Sequence, residues 1–189
     1  MMNVLTTALN GVLLLELKTH GDERGVFAEV FVQERYADAG VALPFVQDNW
    51  SVSGKGVLRG LHFQAHFPQG KLVTVCHGRI LDVVADVNPA SPTFGQHVAV
   101  ELSGLNEGGV VRQLWVPPGY AHGFLVLSEE ASVLYKCTEV YRPEDEAGVI
   151  WSDVDLAIDW PVDSIVGPPV VSEKDRRLPS LQQWVKSNG

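Results

Sequence analysis

The sequence has few cysteines, few cations and no long apolar run. Its 189 residues include two cysteines, and 14 lysines and arginines stand against 23 aspartates and glutamates, giving a formal net charge of −9 at pH 7. Because nucleic acids and anionic membrane surfaces both bind basic faces, we expect neither as a partner. An anionic small ligand would require the few cations to cluster at one site.

Cys76 and Cys137 lie in segments that resemble strand interiors. We therefore expect two buried free thiols rather than a disulfide or a reactive site. The longest early apolar stretch, residues 12–15, is far too short to span a bilayer. The N-terminal region also lacks the basic segment, apolar run and cleavage site of a secretory signal. We expect a cytoplasmic protein.

Short β-type runs separated by turn residues dominate the chain. The clearest runs are residues 12–17, 26–31, 72–76, 80–87, 97–102, 111–116 and 133–140. Turn signals between the runs include His77-Gly78, Asn88-Pro89, Gly108-Gly109 and Pro117-Pro118. Helix is scarce, with candidates only at residues 33–39 and 180–186. The pattern predicts one all-β domain over residues 1–189, and it leaves sandwich, jelly roll and small barrel open.

Five polar clusters occur where a core-forming sequence does not need them. They are residues 22–25 with Glu29, 47–49, 59–64, 118–124 and 172–175. Between them, Lys71 opens one predicted strand and Tyr135 occupies an inward position of another. A lone tyrosine is usually a packed aromatic, and a lone lysine is usually a solvated charge. That explanation does not cover Arg59 and His62, which share an otherwise apolar stretch and are followed closely by Lys71.

A cupin-type metal centre is one alternative for these residues. Its ligands could come from His62, His66 and His122 with Glu29, Asp82 or Asp86. Two ligands on one strand of such a centre are expected two residues apart, as His-x-His. Here the spacing is His62-x-x-x-His66, with glutamine at position 64, so we expect no metal.

Together the clusters resemble the dTDP-4-dehydrorhamnose 3,5-epimerase family. The resemblance runs from about Thr19 to Asp175 with the motifs in family order, and its most specific segments read RGLHFQ at residues 59–64 and AHGF at residues 121–124. It implies a cupin-like jelly roll with a few short helices, and it implies no metal or cofactor. It also implies a homodimer that shares strands across its interface. Residues 12–15, apolar on both faces of a strand, favour burial against a second subunit.

The resemblance further implies roles for individual residues. His62 corresponds to the general base and Asp175 to the carboxylate that orients it. Tyr135 corresponds to the general acid, and Lys71 to the cation beside the sugar ketone. The implied substrate-binding positions are Arg24, Glu29, Gln47, Asn49, Arg59, His122, Tyr141 and Glu146. Among these, the two arginines suit the diphosphate and Tyr141 suits the thymine ring.

These residue types suit proton transfer beside a ketone. In a 4-keto sugar the C–H bonds at C3 and C5 are acidic, because the ketone oxygen accepts the negative charge as an enolate. Inversion needs a base on one face of the ring and an acid on the other, tasks that an imidazole and a phenol can perform. The sequence thus predicts an isomerase that converts dTDP-4-dehydro-6-deoxy-D-glucose to dTDP-4-dehydro-L-rhamnose, which supplies L-rhamnose to a cell-surface polysaccharide.

Two further functions fit parts of the pattern. Related enzymes epimerise a single carbon or act as 3,4-ketoisomerases with the same base, but the retained Tyr135 favours epimerisation at both carbons. A non-catalytic sugar-nucleotide-binding module would need Arg24 and Arg59. It would need neither a base paired with a carboxylate nor a tyrosine facing that base.

Overall fold

The computed structural model describes residues 2–104 and 110–188, and the turn predicted at Gly108-Gly109 lies outside these ranges. The strands are β1 Asn3–Thr6, β2 Leu13–Leu17, β3 Thr19–Asp22, β4 Gly25–Ala28, β5 Gln47–Gly54, β6 Val57–Gln64, β7 Lys71–His77, β8 Arg79–Ala85, β9 His97–Ser103, β10 Val111–Val116, β11 Ala121–Val126, β12 Glu130–Cys137, β13 Glu146–Gly148 and β14 Val170–Val171. The helices are α1 Gln33–Asp38 and α2 Leu181–Asn188.

Most of the strands form two sheets that face each other. The first sheet has the order β1-β2-β10-β7-β12-β5, and the second has the order β13-β6-β11-β8-β9 with β14 added beside β6. Strands β3 and β4 form a separate hairpin. All pairs are antiparallel except β14 with β6. The predicted all-β architecture is therefore a sandwich.

Three apolar clusters hold the layers together. The inter-sheet core joins β7, β10 and β12 of the first sheet to β8, β9 and β11 of the second, and it includes Val73, Leu114, Val133, Ile80, Leu102 and Phe124. On the outer side of the first sheet, α1 covers β2, β7 and β10. On the outer side of the second sheet, α2 and the segment before it cover β6, β8 and β11. Both sheets are thus buried on their inner faces and partly buried on their outer faces.

The sequence predicted most of the long apolar strands, but the predicted runs omitted the polar strand β5 and the largely buried strands β6 and β11. The runs at 72–76, 97–102 and 111–116 correspond to β7, β9 and β10, and both helices form where expected. Strand β5 was not predicted, because the sequence QDNWSVSG has few residues that favour strands. It forms because all eight of its residues pair with β12. No helix in the described ranges is long and apolar enough to cross a membrane.

The structure bears on two expectations about apolar residues. Leu15 of β2 is buried on the α1 side, whereas Leu13 and Leu14 are only partly buried. Burial of this strand against a second subunit therefore stays a prediction. Cys137 is buried as predicted, but the prediction is wrong for Cys76, which is exposed. It lies near the end of β7, beyond the part of the outer face that α1 covers.

A bulge in β6 places Arg59 and His62 on the same side of the second sheet. Residues three apart in a regular strand face opposite sides. Here His62 pairs with His122, whereas Arg59 pairs with Phe124, so three steps on β6 match two steps on β11. Gly60 lies inside the bulge with φ +120°, and a Cβ atom there would lie 2.6 Å from Gly123 Cα. Only glycine fits this position.

We expect Gly60→Ala to lower the free energy of unfolding by about 3 kcal/mol or more, because it adds a backbone clash to backbone strain. Gly25→Ala is the matched control. Gly25 has φ +124° but open space around its missing Cβ, so that variant should lose only about 1–2 kcal/mol from strain. Urea unfolding of both variants measures the difference, and equal losses would contradict the role of close packing at the bulge.

Candidate active site

A cavity of about 670 Å³ opens between the two sheets and is the place where the predicted residues meet. Its walls come from β5, β7 and β12 of the first sheet, from β6 and β11 of the second, and from the segments around residues 141–146 and 170–175. Ten of the twelve predicted residues line it: His62, Lys71, Tyr135, Asp175, Gln47, Asn49, Arg59, His122, Tyr141 and Glu146.

His62 is held by the carboxylate of Asp175. The His62 Nε2 atom lies 2.7 Å from Asp175 Oδ1, and the other carboxylate oxygen accepts the Gly60 amide at 3.3 Å. Burial alone would raise the pKa of Asp175, but the hydrogen bond and charge of His62, with the Gly60 amide and Ser172, hold that pKa below its usual value. A charged carboxylate therefore faces the imidazole and fixes its orientation.

Glu146 connects His62 to the rim of the cavity. One of its carboxylate oxygens lies 3.9 Å from His62 Nε2, and the other accepts hydrogen bonds from the Tyr141 hydroxyl and the Lys174 ammonium. The hydrogen bond to Glu146 raises the pKa of Tyr141 to about 12. Lys174 also lines the cavity, although sequence reasoning did not single it out. Its position directly before Asp175 in the polar cluster of residues 172–175 is the sequence feature that points to it.

Lys71 and Tyr135 are polar groups on the largely buried side of the cavity that the first sheet forms. Lys71 is 9% exposed, and its ammonium donates to the His62 carbonyl oxygen at 3.3 Å. Burial lowers the pKa of Lys71, while the negative charges of Asp82 and Glu146 oppose the decrease. Burial raises the pKa of Tyr135, so its phenol is held in the protonated form. This wall thus combines a cation with a neutral weak acid.

His122 forms a second imidazole–carboxylate pair in the cavity. Its Nε2 atom lies 2.7 Å from Asp82 Oδ1, and Asp82 is fully buried. The other oxygen of Asp82 is buried and has no hydrogen-bond partner in the described part of the chain. Sequence reasoning had considered Asp82 only as a ligand of the alternative metal centre.

Gln47, Asn49 and Arg59 form the polar side of the cavity near β5. Gln47 accepts the Tyr141 amide at 2.8 Å and donates to Asn49 at 2.9 Å. Arg59 donates from Nε and Nη2 to the hydroxyl of Ser53. These bonds orient Arg59 and fix the backbone of Tyr141 at the rim.

Arg24 and Glu29 do not line this cavity. Arg24 lies on the β3–β4 hairpin, where its side chain is 85% exposed and paired with Asp22. Glu29 follows the hairpin and pairs with Arg35. The chain therefore brings together the predicted catalytic residues but leaves these two binding residues outside.

The ligands of the alternative metal centre are not assembled. His62, His66 and His122 each bind a different carboxylate, contributed by Asp175, Asp145 and Asp82 respectively. In residues 2–104 and 110–188, no group of three or more histidine, cysteine, aspartate or glutamate side chains is placed to hold a metal ion.

Known proteins resemble this chain over nearly its whole length. The family model described as dTDP-4-dehydrorhamnose 3,5-epimerase matches residues 6–183. A protein of that name from Salmonella typhimurium is 48% identical, with 97% of each chain covered. The crystal structure of an epimerase from Legionella pneumophila in complex with dTDP-4-keto-L-rhamnose has a TM-score of 0.89 at 47% identity and covers 96% and 94% of the two chains. A 3'-monoepimerase from Streptomyces bikiniensis in complex with dTDP-quinovose is 32% identical, covers 96% and 89%, and has a TM-score of 0.86.

The lowered pKa of Asp175 predicts how stability depends on pH. A carboxyl whose pKa is lower in the folded than in the unfolded state stabilises the fold above its ordinary pKa, and this contribution is lost as pH falls through the folded-state value. The wild type should therefore be more stable than Asp175→Asn at about pH 5, and the margin should shrink below about pH 4. Urea unfolding at a series of pH values tests this. A margin that stays constant to about pH 3 would contradict it.

Proposed function

The chain belongs to the dTDP-4-dehydrorhamnose 3,5-epimerase family, and from this premise we propose which of its residues carry out the reaction. The resemblance noted in the motifs and the cupin-like jelly roll that it implies are both confirmed. The protein is an isomerase that epimerises dTDP-4-dehydro-6-deoxy-D-glucose at C3 and C5, giving dTDP-4-dehydro-L-rhamnose in dTDP-L-rhamnose biosynthesis.

One observation carries the assignment of residues: the base and the acid come from opposite walls of one cavity. His62 lies on β6 of the second sheet, and Tyr135 lies on β12 of the first sheet. Both line the space between the sheets. A sugar ring bound there presents one face to the imidazole and the other face to the phenol, which is the arrangement that inversion requires.

His62 is the base that removes the proton from C3 or C5. Asp175 supports this role, because its negative charge at 2.7 Å stabilises the imidazolium that forms when His62 takes up the proton. Glu146, 3.9 Å from the same nitrogen, adds to that effect. The pair works as a unit in which Asp175 orients and His62 transfers the proton.

Tyr135 is the acid that returns a proton to the opposite face. Its raised pKa keeps the phenol protonated until an enolate is present to accept the proton. Lys71 stabilises the enolate oxygen, because a cation in a dry cavity interacts strongly with charge that develops beside it. Each inversion removes one proton from the carbon and returns one to it, and proton exchange with solvent then restores neutral His62 and protonated Tyr135 before the second carbon reacts. These steps call on no metal or cofactor.

The remaining predicted residues of the cavity bind the substrate. Arg59 supplies a planar set of donors for the diphosphate, and His122 lies on the neighbouring strand β11. Tyr141 offers an aromatic ring at the rim for the thymine, and Gln47 holds its backbone in place. Asn49 and Glu146 provide further polar contacts in the cavity.

A homodimer explains why Arg24 and Glu29 lie outside the cavity of their own chain. The β3–β4 hairpin that precedes Glu29 also exposes Val26 and Phe27, at 53% and 69%. Exposed apolar side chains next to binding residues favour insertion of this hairpin into a second subunit. Each active site then combines the cavity of one subunit with the hairpin of the other. A cytoplasmic location and a single domain of residues 1–189 stay predictions from the sequence.

The two proton-transfer roles can be separated by isotope exchange. His62→Ala should abolish both turnover and the exchange of C3 and C5 protons with D₂O, because no enolate forms. Tyr135→Phe should still exchange protons, since His62 can return a proton to the face from which it came, while inverted product falls by roughly 10²-fold. NMR with dTDP-4-keto-6-deoxy-D-glucose reports both quantities at each carbon. Full inversion by Tyr135→Phe, or full exchange by His62→Ala, would remove that residue from the mechanism.

Mixed dimers test the shared active site. Alone, Arg24→Ala should be weakly active and His62→Ala inactive, because every site lacks one residue. After unfolding and refolding together, mixed dimers form about half of the population and carry one intact site each, so roughly a quarter of wild-type activity should return. Refolding the two variants separately and then mixing them is the control. No recovery in mixed dimers would show that Arg24 does not act across the interface.

A further inference from the structure

The inner face of β5 carries an unbroken row of polar side chains. Strand residues alternate between two faces, and here Gln47, Asn49, Ser51 and Ser53 face inwards while the residues between them are exposed. Inward positions of a sandwich strand normally hold apolar side chains. The first two of these residues line the cavity, but the two serines are not among the substrate-binding residues proposed above.

Ser53 makes a specific contact with Arg59. Its hydroxyl oxygen accepts hydrogen bonds from Nε at 3.2 Å and from Nη2 at 3.1 Å, so it holds one edge of the guanidinium plane. Ser53 is 6% exposed and cannot move away without disturbing β5. The contact crosses from the first sheet to the second, because β5 and β6 belong to different sheets.

This contact leaves the opposite edge of the guanidinium available to a ligand. Arg59 lines the cavity, and within the described ranges the structure shows no carboxylate paired with it. An arginine binds a phosphate best through two parallel N–H bonds, which require the guanidinium plane to be aligned. A free arginine side chain loses considerable rotamer freedom on binding, and a neighbour that orders it beforehand reduces this loss.

We propose that Ser53 is a positioning residue that acts through Arg59, presenting the free edge of the guanidinium to the diphosphate of the nucleotide sugar. This inference rests on the proposed function, which assigns the diphosphate to Arg59. Ser53 does not touch the reacting carbons, so its effect falls on binding and not on proton transfer. The side chain of Ser53 thereby sets affinity for the nucleotide part of the substrate.

Ser51 is a matched control on the same strand. It lies two residues before Ser53 on the same inward face and pairs with Val133 of β12. Its hydroxyl oxygen is buried but has no hydrogen-bond partner in the described part of the chain. Removing that hydroxyl therefore breaks no hydrogen bond among the described residues, whereas removing the hydroxyl of Ser53 breaks both of its bonds to Arg59.

The test compares Ser53→Ala, Ser51→Ala and Ser53→Thr by steady-state kinetics and by calorimetric titration with dTDP. Ser53→Ala should raise both KM and the Kd for dTDP by roughly fivefold to tenfold, the loss expected for hydrogen bonds to a charged group, with kcat unchanged within about twofold. Ser51→Ala should match the wild type. Ser53→Thr keeps the hydroxyl and should restore most of the affinity. Thermal unfolding of each variant shows whether the fold is retained.

A double-mutant cycle with Arg59→Ala decides whether Ser53 acts through the arginine. If it does, Ser53→Ala should weaken dTDP binding no further in the Arg59→Ala background. An equal loss in both backgrounds would overturn the inference, as would a fall in kcat at constant KM. Calorimetry with dTDP needs no turnover, so a protein that binds dTDP as expected but fails to epimerise would contradict the proposed function and leave the inference standing.

Discussion

The carboxylate of Asp175 is the contact on which the active site depends. One of its oxygens binds His62 and the other binds the amide of Gly60, although Asp175 lies more than a hundred residues further along the chain. The same group therefore orients the base and secures the bulge that turns Arg59 towards the cavity. Helix α2 also stabilises β6, because Trp184 packs edge-to-face on Phe63 with ring centroids 4.9 Å apart. Catalytic geometry and packing of the second sheet are consequently stabilised by the same C-terminal segment.

Charge is distributed unevenly in this acidic protein. The net charge is −9, yet Arg59, Lys71 and Lys174 all line one cavity. Each of these cations interacts with a neighbouring group. Ser53 accepts hydrogen bonds from Arg59, and Glu146 pairs with Lys174. Buried carboxylates oppose the decrease in the pKa of Lys71 that burial causes. A cavity of this kind can attract an anionic nucleotide sugar although the surface as a whole is negative, because fields are focused in a dry cleft.

The sandwich also explains why base and acid face each other. One face of a sheet presents side chains that all point the same way, so two groups on opposite sides of a bound ring must come from two sheets or two chains. Here His62 and Tyr135 come from different sheets. The hairpin that carries Arg24 lies outside this space, so in the dimer proposed above the second subunit contributes to substrate binding and not to proton transfer.

The amino-acid sequence was enough to predict the type of reaction and much of the β architecture. Alternating apolar residues predict β8, because such a pattern is local. The resemblance of the motifs to the epimerase family points to His62, Tyr135, Lys71 and Asp175 as the catalytic residues. Other features became visible only in the folded chain. Strand β5 owes its existence to pairing with β12, and the bulge at Gly60 brings residues three apart onto one side. The contact of Ser53 with Arg59 depends on how the two sheets pack against each other. The exposure of Cys76 depends on how far α1 extends over the outer face of the first sheet. Such features arise from packing between distant segments, which local propensity does not encode.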